Sequence, residues 1–164
     1  MTVASPTPRF LLRRPAHFIA LGFGSGLAPF APGTFGTLVA IPIAAVLRMY
    51  ASDVVFVACI ALLFALGVWA CDATSRDLGV ADHGSIVIDE VVAFLIVLYF
   101  VGGDPLRQAF AFLLFRVFDI AKPPPIRQVD ATLKNGFGVM LDDVLAAAYT
   151  LFVFAILVRV MGSS

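Results

Sequence analysis

Three stretches of the sequence, Val54 to Cys71, Val91 to Gly103 and Val144 to Val158, contain no acidic residue and are apolar almost throughout. Apolar runs of this length read as helices, and the punctuation around them marks four strong candidates: Thr37 to Met49, Val54 to Cys71, Ile86 to Val101 and Val144 to Val160. A fifth, Pro105 to Phe118, is more polar at its ends. The chain is 61% apolar and 13% charged, with a mean hydropathy of +1.01. A soluble domain usually has about 45 to 50% apolar and about 25% charged residues, so the expected fold is all-α, a compact helical membrane bundle. Full spanning takes roughly 20 apolar residues, and several of these segments are shorter.

The basic, proline-containing residues 1–14 read as a flexible leader, and residues 15–164 as a single helical domain. The leader does not read as a secretory signal peptide, because glycines break the apolar stretch that follows. Zero formal net charge gives no reason to expect a nucleic-acid partner. Cys59 and Cys71 lack the spacing of a zinc site and read as reduced packing residues.

Nine of the eleven acidic residues fall in short polar islands between the apolar segments. If all five helices cross, the glycine-rich loop ending at Gly36 and the islands Asp72 to Glu90 and Asp119 to Asp143 share one face. Eight basic residues lie on that side (Arg9, Arg13, Arg14, Arg76, Arg116, Lys122, Arg127, Lys134) against Arg48, Arg107 and Arg159 on the other, which places the islands in the cytoplasm.

The first island ends DHGSIVIDE, where Asp89 and Glu90 enter the apolar layer together. Carboxylates there are costly unless a cation compensates them, and hard oxygen ligands suit Mg²⁺. One acid would suffice to cap the helix. His83, beside Asp82, is either a general acid–base group or a partner for a loop carbonyl. The second island opens FRVFDIAKPPPIRQVD. Arg116 and Asp119 are spaced for a structural ion pair, while three prolines hold Lys122 and Arg127 on a stiff strap beside Asp130. Fixed cations next to acids suit a phosphate, with anchoring to anionic head groups as the alternative reading. The run NGFGVMLDD brings Asp142 and Asp143 to the start of the final helix through a sharp turn. With Asp89, Glu90 and Asp119 they supply oxygen ligands for one or two Mg²⁺ ions.

The early loop, GFGSGLAPFAPGTFGT, lacks the lysine of a P-loop and follows no strand. Its backbone amides suit an anion nonetheless, which makes Gly24, Ser25, Gly26, Thr34, Gly36 and Thr37 candidates for holding substrate phosphate. Close helix packing through small residues is the competing explanation.

Taken together and in order, these stretches resemble the phosphatidylglycerophosphatase A family, bacterial membrane phosphatases that convert phosphatidylglycerophosphate to phosphatidylglycerol. The resemblance runs from Gly22 to Asp143. It implies a Mg²⁺-dependent phosphomonoesterase of the inner membrane with a cytoplasmic-face active site. It also implies that Asp82, His83, Asp89, Glu90, Asp119, Lys122, Arg127, Asp130, Asp142 and Asp143 occupy the family's motif positions. Asn135, Phe137 and Thr37 stand where glycine, methionine and serine are expected. Cysteine-nucleophile, Asp-x-Asp and double-histidine phosphatase motifs are missing, which leaves metal-assisted attack of water on phosphorus. In that chemistry Asp82, His83, Lys122, Arg127 and Asp130 are the catalytic candidates. A divalent-cation transporter is the other class considered, and it would need carboxylates spread through the depth of the spans.

Overall fold

Proline and short polar side chains set where the helices begin. In the computed structural model the described residues are 6–81 and 83–162. Two short helices, α1 (Pro8–Leu11) and α2 (Pro15–Ala20), precede a 3₁₀ segment over Gly22–Leu27. The long helices follow as α3 (Pro32–Tyr50), α4 (Asp53–Leu78), α5 (Ile88–Val101) and α6 (Pro105–Ala121). A short α7 (Ile126–Thr132) and a long α8 (Gly136–Gly162) complete the fold. Pro8, Pro15, Pro32 and Pro105 occupy first-turn positions, where the missing N–H has no helical partner to lose. Ser52 and Asp104 cap α4 and α6 with their side chains, Asp104 Oδ1 accepting from Arg107 N at 2.8 Å.

Helix α5 is the axis of the bundle. Its residues Ile88, Val91, Val92, Ala93, Phe94, Leu95, Val97 and Leu98 are all sealed from solvent, as expected of a helix apolar on every side. It packs against α3, α4, α6 and α8. The outer helices show the reverse: Leu62, Leu113 and Phe152 are more than half exposed, an apolar periphery suited to lipid. Helices α3, α4 and α8 are long and apolar enough to cross a membrane. The protein is therefore a helical membrane bundle. Helix α5, with 14 residues, and α6, with 17, are shorter, yet α5 reaches the far end of the bundle, where Arg48 of α3 donates to the Leu98 carbonyl.

The N-terminal segment is tied down over its described part. His17 is fully buried in α2, with Nδ1 2.8 Å from the Phe10 carbonyl and Nε2 2.8 Å from Asp77 Oδ2 at the end of α4. Phe10 stacks on the imidazole with ring centroids 3.9 Å apart, and Arg14 donates to Asp77 at 2.9 Å. Cys59 and Cys71 form no disulfide.

Candidate active site

The polar ends of four helices meet at one end of the bundle. The first turn of α5 carries Asp89 and Glu90, the last turns of α6 carry Arg116 and Asp119, and the second turn of α8 carries Asp142 and Asp143. The first turn of α3 lies against them through Gly33, where a Cβ would fall 2.1 Å from Glu90 Oε1 and 3.2 Å from Arg116 Nη2. Only glycine lets α3 come so near the Glu90 carboxylate.

Asp89, Glu90 and Asp143 offer oxygens that all lie within 4.8 Å of one another. Asp89 and Asp143 are buried and Glu90 nearly so. One buried oxygen of each, Asp89 Oδ1, Glu90 Oε2 and Asp143 Oδ2, accepts no hydrogen bond among the described residues. Orphaned carboxylate oxygens converging in an apolar interior are costly unless a cation takes them up, and an all-oxygen donor set is that of a hard divalent ion. These residues fit a metal.

The other acids are already engaged by cations. Arg116 Nη1 lies 2.6 Å from Asp119 Oδ2 and 3.7 Å from Glu90 Oε1, and it donates to Thr37 Oγ1 at 3.3 Å. The i,i+3 ion pair read from sequence is present, and the same guanidinium also reaches α3 and α5. Asp142 was expected among the metal ligands, but its Oδ2 lies 2.6 Å from Lys122 Nζ. The reason is the start of α8. That helix begins at Gly136, not near Val144, because Asn135 Oδ1 caps it, accepting the Gly138 N–H at 2.9 Å, and Asp72 Oδ1 of α4 accepts the Gly136 N–H at 2.6 Å. The glycines around Phe137 thus lie inside a helix and make no sharp turn. The two aspartates, 100° apart on that helix, separate, Asp143 toward Asp89 and Glu90 and Asp142 toward Lys122.

Lys122 follows α6 in a left-handed conformation (φ 43°, ψ 63°), uncommon for a side chain with a Cβ, which sends its ammonium back over α8. It also lies 3.3 Å from Asp130. Burial works against the Lys122 cation, but the hydrogen bond and charge of Asp142, with Asp130 behind them, outweigh it and hold its pKa above the ordinary lysine value. The proline strap is pinned to α8 by Tyr149, whose hydroxyl donates to the Pro124 carbonyl at 2.6 Å. Arg127 is exposed on α7, outside the ion-pair network.

His83 accepts the Ser85 N–H on Nδ1 at 3.1 Å, a loop-forming bond to an amide, where the two readings were an acid–base group or a partner for a loop carbonyl. Asp82 lies outside the described residues. In the early loop, Ser25 donates to Gly22 O at 2.8 Å and a Cβ on Gly26 would fall 2.1 Å from the Ser85 carbonyl. Gly26 thus serves close packing and Ser25 closes the turn, while Gly24 has room for a Cβ and instead takes a positive φ of 106°. Thr34 is half-buried in the first turn of α3, Gly36 packs on Val87, and Thr37 donates to the Gly33 carbonyl at 2.8 Å while receiving Arg116. Sequence reasoning missed Gly33 and Asp72 as determinants of the site. It weighed Arg116 only as half of an ion pair.

The sequence profile of the family described as PgpA, phosphatidylglycerophosphatase A, matches residues 18–158. The chain belongs to the phosphatidylglycerophosphatase A family. A protein of that name from Haemophilus influenzae is 47% identical over 158 residues, covering 95% of this chain and 97% of its own. The phosphatidylglycerophosphatase A of Escherichia coli is 40% identical over 144 residues, covering 84% and 80%. A relative from Bacteroides thetaiotaomicron, provisionally named a phosphatidylinositol-3-phosphatase, is 37% identical over 167 residues, covering 92% and 100%. No solved structure matches the chain. The acids, cations and glycines that build the site all fall within the stretch that the family profile covers.

Proposed function

We propose that this protein is a Mg²⁺-dependent phosphomonoesterase that converts phosphatidylglycerophosphate to phosphatidylglycerol and phosphate at the cytoplasmic face of the bacterial inner membrane. The observation that carries the reading is the trio Asp89, Glu90 and Asp143, with three orphaned oxygens in a chain of this family. These residues would hold the ion, which when bound supplies charge neutralisation at phosphoryl oxygens and a more acidic water.

The protein's own groups supply the rest. Arg116 holds Asp119 and Glu90 apart from each other's charge and joins them to α3 through Thr37. Lys122, kept protonated by Asp142 and Asp130, presents a fixed positive charge where negative charge grows on the phosphoryl group. Arg127, exposed on α7, approaches the substrate phosphate from the aqueous side, where a guanidinium can grip two oxygens. The reacting water needs a nearby acceptor, and Asp130, half-buried beside Lys122, and His83 Nε2 are the candidates on this face. Orientation follows from the distribution of basic residues, eight on the site's face against three. A cation path would need acids along the bundle. The described acids instead gather at this end or, as Asp53 and Asp104, sit at helix starts on the other.

The test is phosphate release from purified protein in mixed micelles, with and without Mg²⁺. Phosphatidylglycerophosphate, phosphatidic acid and, given the name of the Bacteroides relative, phosphatidylinositol 3-phosphate are compared. Preference for the first, abolished by chelation and restored by Mg²⁺, is expected. Equal rates on all three, or activity indifferent to chelation, would overturn the reading.

A further inference from the structure

Helices α3 and α6 both pack on α5 but scarcely on each other. Between them runs a groove of about 420 Å³, walled by Leu38 and Ile41 of α3 and by Ala109, Phe112 and Leu113 of α6. Its wall is almost wholly apolar, and Phe94 of α5 lies behind it, edge to face with Phe112 at 5.8 Å. Leu38, Ala109 and Leu113 are exposed, so the groove opens sideways to the surroundings of the bundle.

Its upper end is the active site. Leu38 follows Thr37, and Phe112 lies one helical turn below Arg116; the hydrogen bond from Arg116 to Thr37 closes the groove at the top. At about 1.5 Å per residue, the walls named above lie roughly 5 to 12 Å below Gly33 and Arg116, at the depth of acyl chains beneath a head group. The somewhat larger groove at Asp104, Arg107 and Phe154 lies at the opposite end of α6 and has no such continuity.

We infer that the groove between α3 and α6 seats one acyl chain of the lipid whose phosphate reaches the acid site. The inference rests on the proposed lipid-phosphatase function and adds to it a subsite for the chain. Such a subsite lets an enzyme draw substrate laterally from the bilayer, and it makes the rate depend on the tail as well as on the phosphate.

Ala109→Trp fills the groove from its exposed side, where the fold has room. Its kcat/KM is measured on dipalmitoyl and dihexanoyl phosphatidylglycerophosphate, beside Leu62→Trp on the outward face of α4 as control. The ratio of long-chain to short-chain kcat/KM is expected to fall about tenfold in Ala109→Trp, the worth of roughly two methylenes withdrawn from apolar contact, and to stay at wild type in Leu62→Trp. A second readout is independent of turnover: a phosphatidylglycerophosphate with a diazirine at mid-chain is irradiated with the full-length protein in nanodiscs and its adducts are mapped. Adducts at Leu38, Phe112 or Leu113 that Ala109→Trp removes support the subsite, even if no phosphate is released and the proposed activity falls. Adducts elsewhere with an unchanged chain-length ratio, or crosslinks there to a second copy of the chain, overturn it while leaving the activity standing.

Discussion

Replacing Gly33 by alanine sets helix stability against site geometry. Inside a helix, alanine is favoured over glycine by roughly 0.5–1 kcal/mol, so the first turn of α3 gains if nothing else changes. Something else does change: the new Cβ would stand 2.1 Å from Glu90 Oε1, where ordinary contact begins at 3.4 Å. The carboxylate has to withdraw by about 1.3 Å, and it can, because it is the far end of a flexible side chain. Folding is therefore spared and the site is not. Misplacing a catalytic group by about 1 Å can cost on the order of 100-fold in rate, and a loss of that size in turnover is expected at saturating lipid and Mg²⁺. The melting temperature in detergent should equal or exceed that of wild type. Glu90→Asp shortens the side chain by about 1.5 Å, one carbon–carbon bond, so the double variant should recover part of what Gly33→Ala loses. Wild-type turnover in Gly33→Ala would refute the claim that this close approach positions Glu90, and so would a double variant no better than the product of the single losses.

Two further outcomes separate roles that the sequence leaves merged. Asp143→Asn should raise the Mg²⁺ concentration for half-maximal activity, whereas Asp142→Asn should leave that midpoint unchanged and lower turnover through a loosened Lys122; Mg²⁺ titrations of both variants check this. With Cys59 and Cys71 replaced, a cysteine at position 134 should react with an impermeant reagent only after cells are opened, and one at position 103 in intact cells. Labelling of position 134 from outside would reverse the orientation.

The membrane bundle and the acid clusters were legible in the sequence because both are written locally, as apolar runs and as short motifs. Asp89 and Glu90 could be read as candidate ligands from two acids entering an apolar helix. The separation of Asp142, toward Lys122, from Asp143, toward Asp89 and Glu90, could not, because it depends on where α8 starts. Two glycines within three residues argue against a helix there and outweigh the local cap signal of Asn135, while the other group that fixes the start, Asp72, belongs to a helix 64 residues earlier. The early loop was ambiguous for a related reason. Glycines that cradle an anion and glycines that admit a neighbouring carbonyl look alike until the neighbour, Ser85, is in place. Arg116 illustrates the limit of spacing arguments: the i,i+3 rule finds Asp119 but is blind to Thr37 and Glu90 on other helices.

The bond from Asp72 to the Gly136 N–H also fixes a height. Seven residues separate Gly136 from Asp143, two turns or about 10.5 Å along α8, so the bond works as a ruler that delivers one particular aspartate to the level of Asp89 and Glu90. A slip of α8 by one residue would turn it through 100° and present Asp142 or Val144 in place of Asp143. During synthesis this stretch follows every other element of the site, so the growing chain carries Asp89, Glu90 and Asp119 without their fourth member until the last helix docks and is measured against α4.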